Sequence, residues 1–376
     1  MKQEIRLFVD AHIFDDSFQG SRTYIKGLYS EIIATYKDIV FFLGARNVEN
    51  LKKEFGEHRN IKYIKYFSRN KFIRLTVNIP FILIRYKINL AHFQYISPLF
   101  KVCKEIITIH DVLFLDFPEF FPACYRLRNR LLFRWSAKRA DYLFTVSEYS
   151  KNRISLHFKL DYSQIFVVPN CLSENFFENG RKVPDIKSKY DLYQYILYVS
   201  RFEPRKNHLL LLKAFTELGL WEKKIKLVFI GSRAIKISEC ENYIKQLPTD
   251  IKRSVLILSE ITIDELIAFY RNCSLFVYPS LAEGFGIPPL EAAACGISVL
   301  CSNTTAMSDF KFLGERLFDP TSLEELKQKI TWMLNKGPTD NSEIKDFIRL
   351  KYNWKISALK FAEILFNNQS ENLRIK

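Results

Sequence analysis

Short apolar runs alternate with longer stretches of helical periodicity along this chain of 376 residues, in two successive halves. The pattern is typical of parallel α/β sheets, in which helices connect buried strands and pack on the sheet. We predict helices near residues 23–34 and 208–218. We predict strands at 6–10, 39–43, 90–93, 105–109 and 142–146 in the first half, and at 195–200, 226–230, 256–258, 275–278 and 297–301 in the second.

The length of the chain favours two domains. A single hydrophobic core stops growing at about 250–300 residues, and 48% of the residues are hydrophobic, which is ample for burial. A stretch near residues 170–185 contains Pro, Asn, Ser and Gly and is typical of a domain connection. We therefore predict domains at 1–175 and 176–355. A further helical pattern with an apolar face spans residues 342–367.

One segment of the second half indicates a ligand. Residues 280–300 read SLAEGFGIPPLEAAACGISVL and follow a predicted strand. Glu283 lies in the predicted loop, a proline pair fits the first turn of a helix, and Glu291 lies near the start of that helix. The N–H groups at a helix N-terminus favour an anion, and carboxylates accept hydrogen bonds from hydroxyl groups. A nucleotide sugar carries both phosphates and hydroxyls and fits this segment.

Two cations follow the first predicted strand of the second half. The sequence RFEPRKN places Arg201 and Lys206 in the loop after that strand, with Asn207 as a good N-cap for the next helix. Ligands of open α/β sheets bind at this edge, where fixed cations would stabilise a leaving diphosphate. The chain has no D-x-D triplet, no G-x-G-x-x-G and no P-loop fingerprint. We therefore expect protein cations, without a metal ion or a cofactor, to balance the diphosphate charge.

These motifs resemble those of retaining glycosyltransferases of family four. Residues 283–291 match the E-x₇-E signature, and residues 200–207 match a G-R-x₄-K-[GN] element with Ser200 in place of the common glycine. In the first half, residues 108–119 match a T-x-H-D-x-x-F-x-x-x-P-E element that contains His110. Gly20, in the segment FQGSRTYIKGL, resembles a glycine of the family's first βα loop.

The resemblance implies the GT-B fold: α/β, with two Rossmann-like, doubly wound parallel-sheet domains and an interdomain cleft. The first domain would bind the acceptor and the second the nucleotide sugar, while a C-terminal helix at about 356–376 would pack back onto the first domain. A hexosyl group would be transferred with retention of configuration. The catalytic residues would be His110, Glu283 and Lys206, and the donor-binding residues Arg201, Lys206, Phe285, Gly286, Glu291 and Gly20.

The resemblance extends to bacterial mannosyl- and rhamnosyltransferases of surface-polysaccharide and lipopolysaccharide biosynthesis. It implies a GDP- or UDP-linked donor, with GDP-mannose favoured, and a saccharide acceptor that is often lipid-linked. Within the donor site it assigns the ribose hydroxyls to Glu291, the sugar hydroxyls to Glu283 and the diphosphate to Arg201 and Lys206. The amides near Phe285 and Gly286 would assist.

Much of the net charge of +15 lies in the first half. No Asp or Glu occurs from Arg59 to Lys104, and a second basic stretch mixes aromatic and aliphatic residues with cations. Such a surface suits an anionic membrane; nucleic acid and a merely solvated face are the alternatives. No zinc-finger or RNP-like signature is present, so we expect a membrane partner and no nucleic acid. The membrane-facing residues would be Arg126, Arg128, Arg130 and Arg134.

Seven cysteines without a C-x-x-C pair indicate a reducing cytoplasm. The most apolar stretch, residues 75–84, is shorter than the roughly 20 residues that span a bilayer. We therefore expect a cytoplasmic protein at the inner face of the plasma membrane. Two alternatives remain: an epimerase or phosphorylase with the same fold, and a basic peripheral-membrane or nucleic-acid-binding protein with a decayed site.

Overall fold

The structure is a computed structural model that describes residues 4–15, 20–178, 180–232, 238–337 and 339–372. The chain divides into two compact units. The N-terminal unit comprises Met1–Cys171 and Trp354–Lys376, and the C-terminal unit comprises Leu172–Asn353. The domains predicted from the sequence, 1–175 and 176–355 with a returning helix at about 356–376, differ from this division by a few residues at each boundary.

Seven strands form a parallel sheet in the described part of the N-terminal unit. They are β1 (Ile5–Asp10), β2 (Ile39–Ala45), β3 (Ile61–Lys65), β4 (Leu90–Gln94), β5 (Lys104–Thr108), β6 (Tyr142–Thr145) and β7 (Ile165–Val167). Their order is β3-β2-β1-β4-β5-β6-β7, so the direction of winding reverses between β1 and β4, as in doubly wound folds. Every residue of β4 is buried, as expected of a parallel sheet covered on both faces.

Six strands form the parallel sheet of the C-terminal unit, again among the described residues. They are β8 (Gln194–Val199), β9 (Ile225–Ile230), β10 (Val255–Leu258), β11 (Leu275–Tyr278), β12 (Val299–Ser302) and β13 (Leu317–Phe318). The order β10-β9-β8-β11-β12-β13 reverses between β8 and β11. This pair of doubly wound α/β sheets confirms the predicted fold class.

Helices connect the strands in both units. In the N-terminal unit they are α1 (Gly20–Thr35), α2 (Val48–Phe55), α3 (Lys71–Ile73), α4 (Ile79–Arg85), α5 (Leu113–Asp116), α6 (Ala123–Arg139) and α7 (Glu148–Phe158), with a π-helical segment at Arg74–Asn78. In the C-terminal unit they are α8 (Ile186–Tyr190), α9 (His208–Glu217), α10 (Ser238–Gln246), α11 (Thr249–Arg253), α12 (Ile263–Asn272), α13 (Ile287–Ala294), α14 (Leu323–Lys336) and α15 (Ser342–Lys351). The last helix, α16 (Trp354–Asn372), belongs to the N-terminal unit. Single 3-10 turns lie at His12–Phe14, Pro118–Phe120, Tyr162–Gln164, Glu174–Phe176, Pro204–Lys206, Thr305–Asp309 and Lys311–Arg316.

The helices of the N-terminal unit cover the sheet from two sides. Right-handed crossovers place α1 and α2 on one face, and α4, α6 and α7 on the other. Residues of α4, α6 and α7, such as Ile79, Phe133 and Ile154, accordingly share one apolar cluster. On the opposite face α16 packs against α1, where Trp354 lies directly on Gly27. A Cβ at residue 27 would stand 2.1 Å from the indole, so only glycine permits this approach.

The ten strands predicted from the sequence are all present, with ends shifted by no more than two residues. The structure contains three further strands, β3, β7 and β13, which were not predicted from the sequence. β13 has only two residues, and β3 contains two exposed lysines, so neither shows a continuous apolar run. The helical pattern at 342–367 corresponds to two helices, α15 and α16, with a break at Tyr352 and Asn353.

Candidate functional site

The C-terminal unit places a buried ion pair at the carboxyl ends of β8 and β11, where the order of its sheet reverses. Lys206 ends the 3-10 turn that follows β8, and Glu283 lies in the loop between β11 and α13. Both residues are less than a tenth exposed. The Lys206 ammonium group donates a hydrogen bond to Oε1 of Glu283. Open α/β sheets bind their ligands at this position.

Further side chains fix the Glu283 carboxylate. The hydroxyls of Tyr278 and Ser280 each donate to Oε1 at 2.8 Å. Arg205 donates from Nη1 to Oε2 at 3.1 Å. The backbone N–H of Glu283 donates to the Thr305 hydroxyl at 3.0 Å. With both oxygens held by donors, the carboxylate has one defined orientation.

The charge state of Glu283 depends on its cationic neighbours. Burial alone would raise the pKa of Glu283, but Lys206 and Arg205 lower that pKa to about 2. Burial lowers the pKa of Lys206, and the carboxylate of Glu283 opposes this effect. Glu283 is therefore ionised at neutral pH. Removing one partner of such a buried pair leaves an uncompensated charge, which is strongly destabilising.

Arg205 connects this pair to a second carboxylate. Its Nε donates to Glu203 at 2.9 Å, and its Nη1 donates to the carbonyl oxygen of Ala282 at 2.7 Å. Arg201 pairs with the other oxygen of Glu203 at 2.9 Å, and 47% of its side chain is exposed. We call this set the charged row. Its charges alternate in sign through Arg201, Glu203, Arg205, Glu283 and Lys206.

The sequence predicts three members of the charged row, Arg201, Glu283 and Lys206, but not Glu203 and Arg205. From the sequence we expect Arg201 and Lys206 to act together on one diphosphate. The structure places them at opposite ends of the row, with Arg201 half-exposed and Lys206 buried. The only sequence signal for Arg205 was its position next to Lys206, and a loop cation is more often solvated than buried.

The loop after Glu283 leads directly into α13. Phe285 is buried against the rings of Phe310 and Tyr352, with centroids 6.3 and 5.8 Å away. Gly286 precedes the helix with φ of 96°, and a Cβ there would stand 3.1 Å from Met307. Only glycine adopts this backbone without strain. Among the described residues, no side chain caps α13. Because Pro288 and Pro289 of its first turn carry no N–H, the amides suited to an anion there are those of Gly286 and Ile287.

Glu291 lies on α13 in a different environment. It is partly buried, and the Tyr270 hydroxyl donates to its Oε2 at 2.8 Å. Burial raises the pKa of Glu291 to about 7, and the hydrogen bond from Tyr270 acts in the opposite direction. Within the described residues, no cation contributes to this shift. The two carboxylates of the E-x₇-E segment therefore have pKa values displaced in opposite directions.

Asn207 does not cap α9 with its side chain, so this prediction was wrong. Its backbone is left-handed, with φ of 57°, whereas a capping residue is usually extended. Its amide instead donates to the carbonyl oxygen of Pro320 at 2.8 Å. The next residue, His208, stacks on Phe202 at 4.2 Å, and burial lowers the pKa of this histidine to about 3. His208 is therefore neutral.

The corresponding edge of the N-terminal sheet is polar and contains His110. This residue follows β5, is 6% exposed, and its Nε2 forms a 3.0 Å hydrogen bond with Oε1 of Gln94. Because an amide oxygen accepts, Nε2 carries the proton. Burial lowers the pKa of His110 to about 4, so the ring is neutral. Among the described residues, Nε2 of Gln94 has no hydrogen-bond partner.

Two further residues of this edge come from β1 and α1. Asp10, at the end of β1, accepts from the Tyr66 hydroxyl at 2.8 Å and pairs with Arg74 at 3.6 Å. Gly20 was predicted in the first βα loop, but the structure places it as the first residue of α1. Among the described residues, nothing lies within 4 Å of the place where its Cβ would stand. Residues 16–19, which precede it, lie outside the described residues.

The four arginines predicted to face a membrane all lie on α6, but they do not share one face. Arg128 and Arg130 are exposed, whereas Arg126 and Arg134 are partly buried. A step of two residues turns a helix by about 200°, so Arg128 lies on the side opposite to its neighbours Arg126 and Arg130. Arg126, Arg130 and Arg134 follow at intervals of four residues and lie on one side of the helix, with Arg128 on the other.

In the part of the chain that the structure describes, no three His, Cys, Asp or Glu side chains form a metal-binding group.

Solved structures resemble this fold along almost the whole chain. Sucrose-phosphate synthase from Thermosynechococcus elongatus superposes with a TM-score of 0.77 at 18% identity, covering 98% of this chain and 100% of that one. The Anabaena protein HepE, solved in complex with UDP, gives 0.70 at 16% identity, covering 96% and 99%. The fold is that of GT-B glycosyltransferases.

Each half of the sequence matches the model of a known domain family. Residues 19–175 match Glycosyltransferase Family 4, and residues 181–348 match Glycosyl transferases group 1. Together the two matches span more than four fifths of the chain. The chain therefore belongs to the glycosyltransferases that combine these two domains.

Curated relatives include bacterial mannosyltransferases. The O-antigen chain mannosyltransferase B of Escherichia coli is 28% identical over 233 residues, which cover 60% of this chain and 60% of that protein. The serotype-specific mannosyltransferase WbdA of Escherichia coli is 28% identical over 211 residues, 54% of this chain and 25% of that protein. The chain thus spans less than two thirds of each of these relatives.

Proposed function

We propose that this protein transfers a hexosyl group from a nucleotide-diphosphate sugar to a saccharide acceptor, with retention of configuration, in the synthesis of bacterial surface polysaccharide. The observation that carries the proposal is the buried pair of Lys206 and Glu283, at the position where an open α/β sheet binds its ligand. The match to two glycosyltransferase domains and the mannosyltransferase relatives support the same reaction class.

The charged row supplies both kinds of group that the donor requires. Lys206 and Arg201 bind the diphosphate, with the amides near Phe285 and Gly286 assisting. Glu283 accepts hydrogen bonds from the sugar hydroxyls in the orientation that Tyr278 and Ser280 fix. Glu291 accepts hydrogen bonds from the ribose. The contact of His110 to the transferred sugar, which the family resemblance implies, stays a prediction.

During the reaction, negative charge develops on the diphosphate of the donor. The bond between the anomeric carbon and the phosphate oxygen breaks, and the leaving nucleoside diphosphate gains negative charge. The acceptor hydroxyl attacks from the same face, forms the new glycosidic bond, and gives its proton to the leaving phosphate oxygen. Lys206 is already in place and stabilises that charge as it grows, without reorganisation. No metal ion or cofactor takes part in this scheme.

The proposed setting is the inner face of the plasma membrane. The donor is a GDP- or UDP-linked hexose, with GDP-mannose favoured by the mannosyltransferase relatives. The acceptor is a saccharide carried on a lipid, in O-antigen or related polysaccharide synthesis. The acid-free basic stretch from Arg59 to Lys104 supports a membrane location, because cations near the headgroups favour anionic lipid.

A screen for thermal stabilisation by UDP-, GDP- and dTDP-sugars tests donor binding, since a ligand at 100 times its Kd adds about 2.7 kcal/mol. The best donor is then incubated with and without lipid-linked acceptors, and free nucleotide is measured. We expect nucleotide release that requires acceptor, and a product with the anomeric configuration of the donor. A changed sugar on an intact nucleotide would identify an epimerase instead, and no stabilisation by any donor would contradict the proposal.

A further inference from the structure

Exposed apolar side chains are concentrated in one part of the N-terminal unit. Of the large hydrophobic residues that the described structure leaves exposed, most lie between residues 67 and 135. Phe81 is 57% exposed and Ile84 64%, and Leu127 and Leu131 on α6 are equally open. Scattered surface hydrophobics are normal, but a contiguous set marks an interaction site.

The helical stretch from α3 to α4 is apolar on both sides. Its inner side packs Ile79, Ile82 and Leu83 into the core. Its outer side carries Val77, Phe81 and Ile84, which are four and three residues apart and therefore share one stripe. A surface helix normally carries polar residues on its outer side, and a helix that is hydrophobic all round is normally buried. Among the described residues, no other element covers this outer stripe.

Helix α6 presents a second apolar stripe. Leu127, Leu131 and Trp135 follow at intervals of four residues and are 64%, 61% and 36% exposed. The Arg139 guanidinium lies 4.3 Å from the centre of the Trp135 ring. The neighbouring loop is fastened to this helix, since Lys101 donates to the carbonyl oxygen of Arg139 at 2.8 Å. That loop exposes Leu99 and Phe100 as well.

Both stripes lie on the same side of the N-terminal sheet, because α4 and α6 pack on one face and share one core cluster. We call their outward residues the apolar face: Val77, Phe81, Ile84, Leu127, Leu131 and Trp135. No Asp or Glu occurs from residue 59 to 104 or from 120 to 140, whereas exposed cations such as Arg85 and Arg130 border the stripes. Cations around an apolar centre complement anionic headgroups around acyl chains.

We propose that the apolar face inserts into the boundary between headgroups and acyl chains of an anionic bilayer. Among the described residues, no helix is long and apolar enough to cross a membrane, so the two helices would lie in the plane of the interface. The sequence predicts only an electrostatic attraction between arginines and lipid, and the proposed contact adds the burial of apolar side chains. Charge brings the protein to the surface, and apolar burial then holds it there at salt concentrations that screen charge.

The first test measures partition onto vesicles of phosphatidylcholine with and without 30% phosphatidylglycerol. The double variant Phe81→Ser, Ile84→Ser should lower the partition coefficient at least about tenfold at both low and high salt. The double variant Leu156→Ser, Leu350→Ser changes residues that are 60% and 71% exposed but lie outside the apolar face, and it should bind like the parent protein. Replacing Arg128, Arg130 and Arg134 with Gln should weaken binding at low salt only.

The second test reports insertion directly. Lipids brominated in the acyl chain should quench tryptophan fluorescence in the parent protein, and Trp135→Phe should abolish most of this quenching. Equal binding by the Phe81, Ile84 variant and the parent, or an absence of quenching, would overturn the proposal. So would a preference for nucleic acid over vesicles, or a dimer in solution that the same double variant dissociates.

The outcome is separable from that of the proposed reaction. Phe81 and Ile84 lie in the N-terminal unit and outside the charged row. Thermal stabilisation by the nucleotide sugar, and transfer to a soluble acceptor analogue, should therefore be unchanged in the Phe81, Ile84 variant. If the Phe81, Ile84 variant loses lipid binding but keeps transfer, the result supports the membrane role of the apolar face without bearing on the reaction. If the parent protein binds lipid but transfers no sugar, the result contradicts the proposed reaction and leaves the membrane proposal standing.

Discussion

The charged row of the C-terminal unit and the apolar face of the N-terminal unit differ in how their cations are paired and buried. In the row, each cation contacts a carboxylate, and Lys206 and Glu283 are almost fully buried. Around the apolar face, the cations lie in stretches that contain no carboxylate and are largely exposed. Groups that must meet a ligand at a defined position are held by partners, whereas groups that meet a fluid surface need only the right sign. Substitutions in the row should therefore have the larger effects.

The largest effect is expected from Lys206→Ala. Loss of one group that stabilises charge in the transition state costs about 10²–10³ in rate, and we expect kcat to fall by that factor. Arg201→Ala should cost less, because Arg201 is half-exposed at the outer end of the row. Steady-state kinetics with the identified donor measures both, and circular dichroism checks that the variants fold. Near-parental turnover of Lys206→Ala would remove Lys206 from the site.

The next effect separates the two carboxylates. Glu283→Gln should lower kcat by about 10- to 100-fold with little change in donor KM, because Glu283 orients the sugar as it gains positive character. Glu291→Gln should chiefly raise donor KM, by about tenfold, since ribose binding is the same in ground and transition states. If both variants keep parental kcat and KM, the assignment of the E-x₇-E segment is wrong.

The sequence predicted the fold more completely than the site, for a physical reason. Strands such as β2 and β11 are apolar along their length because both faces of the sheet are covered, and this pattern is local. The contact between Arg205 and Glu283 joins residues 78 positions apart, and no local pattern indicates which loop cation turns inward. The prediction of a side-chain cap at Asn207 was wrong for a similar reason. The left-handed backbone of Asn207 and its contact to Pro320 override the local preference of asparagine for capping a helix.

The opposite pKa shifts of the two carboxylates predict a smaller, pH-dependent effect on stability. The folded state raises the pKa of Glu291 to about 7, so this residue's contribution is present below about pH 4.5 and is lost as the pH rises through about 7. The folded state lowers the pKa of Glu283 to about 2, so its contribution is present above about pH 4.5 and is lost towards pH 2.

Thermal unfolding between pH 4 and 8 measures this difference. Glu291→Gln should stabilise the protein relative to the parent at pH 8 and lose that advantage towards pH 4. Glu283→Gln should destabilise it at pH 8, since Lys206 and Arg205 would lose their carboxylate. Parallel melting curves for Glu291→Gln and the parent across this range would contradict the raised pKa of Glu291.

The smallest effect is expected from removing divalent metal. The charged row brings three protein cations to the carboxyl end of β8, so the leaving diphosphate meets positive charge without a metal ion. We expect the rate of transfer to stay unchanged within error after dialysis against EDTA, in the parent protein and in the Phe81, Ile84 variant alike. Activity that disappears on chelation and returns with manganese or magnesium would show that the row alone does not balance the diphosphate. The charged row and the apolar face would then still differ in whether their cations are paired with carboxylates. The negative charge of the donor diphosphate, however, would be balanced by a metal ion and not by the row alone.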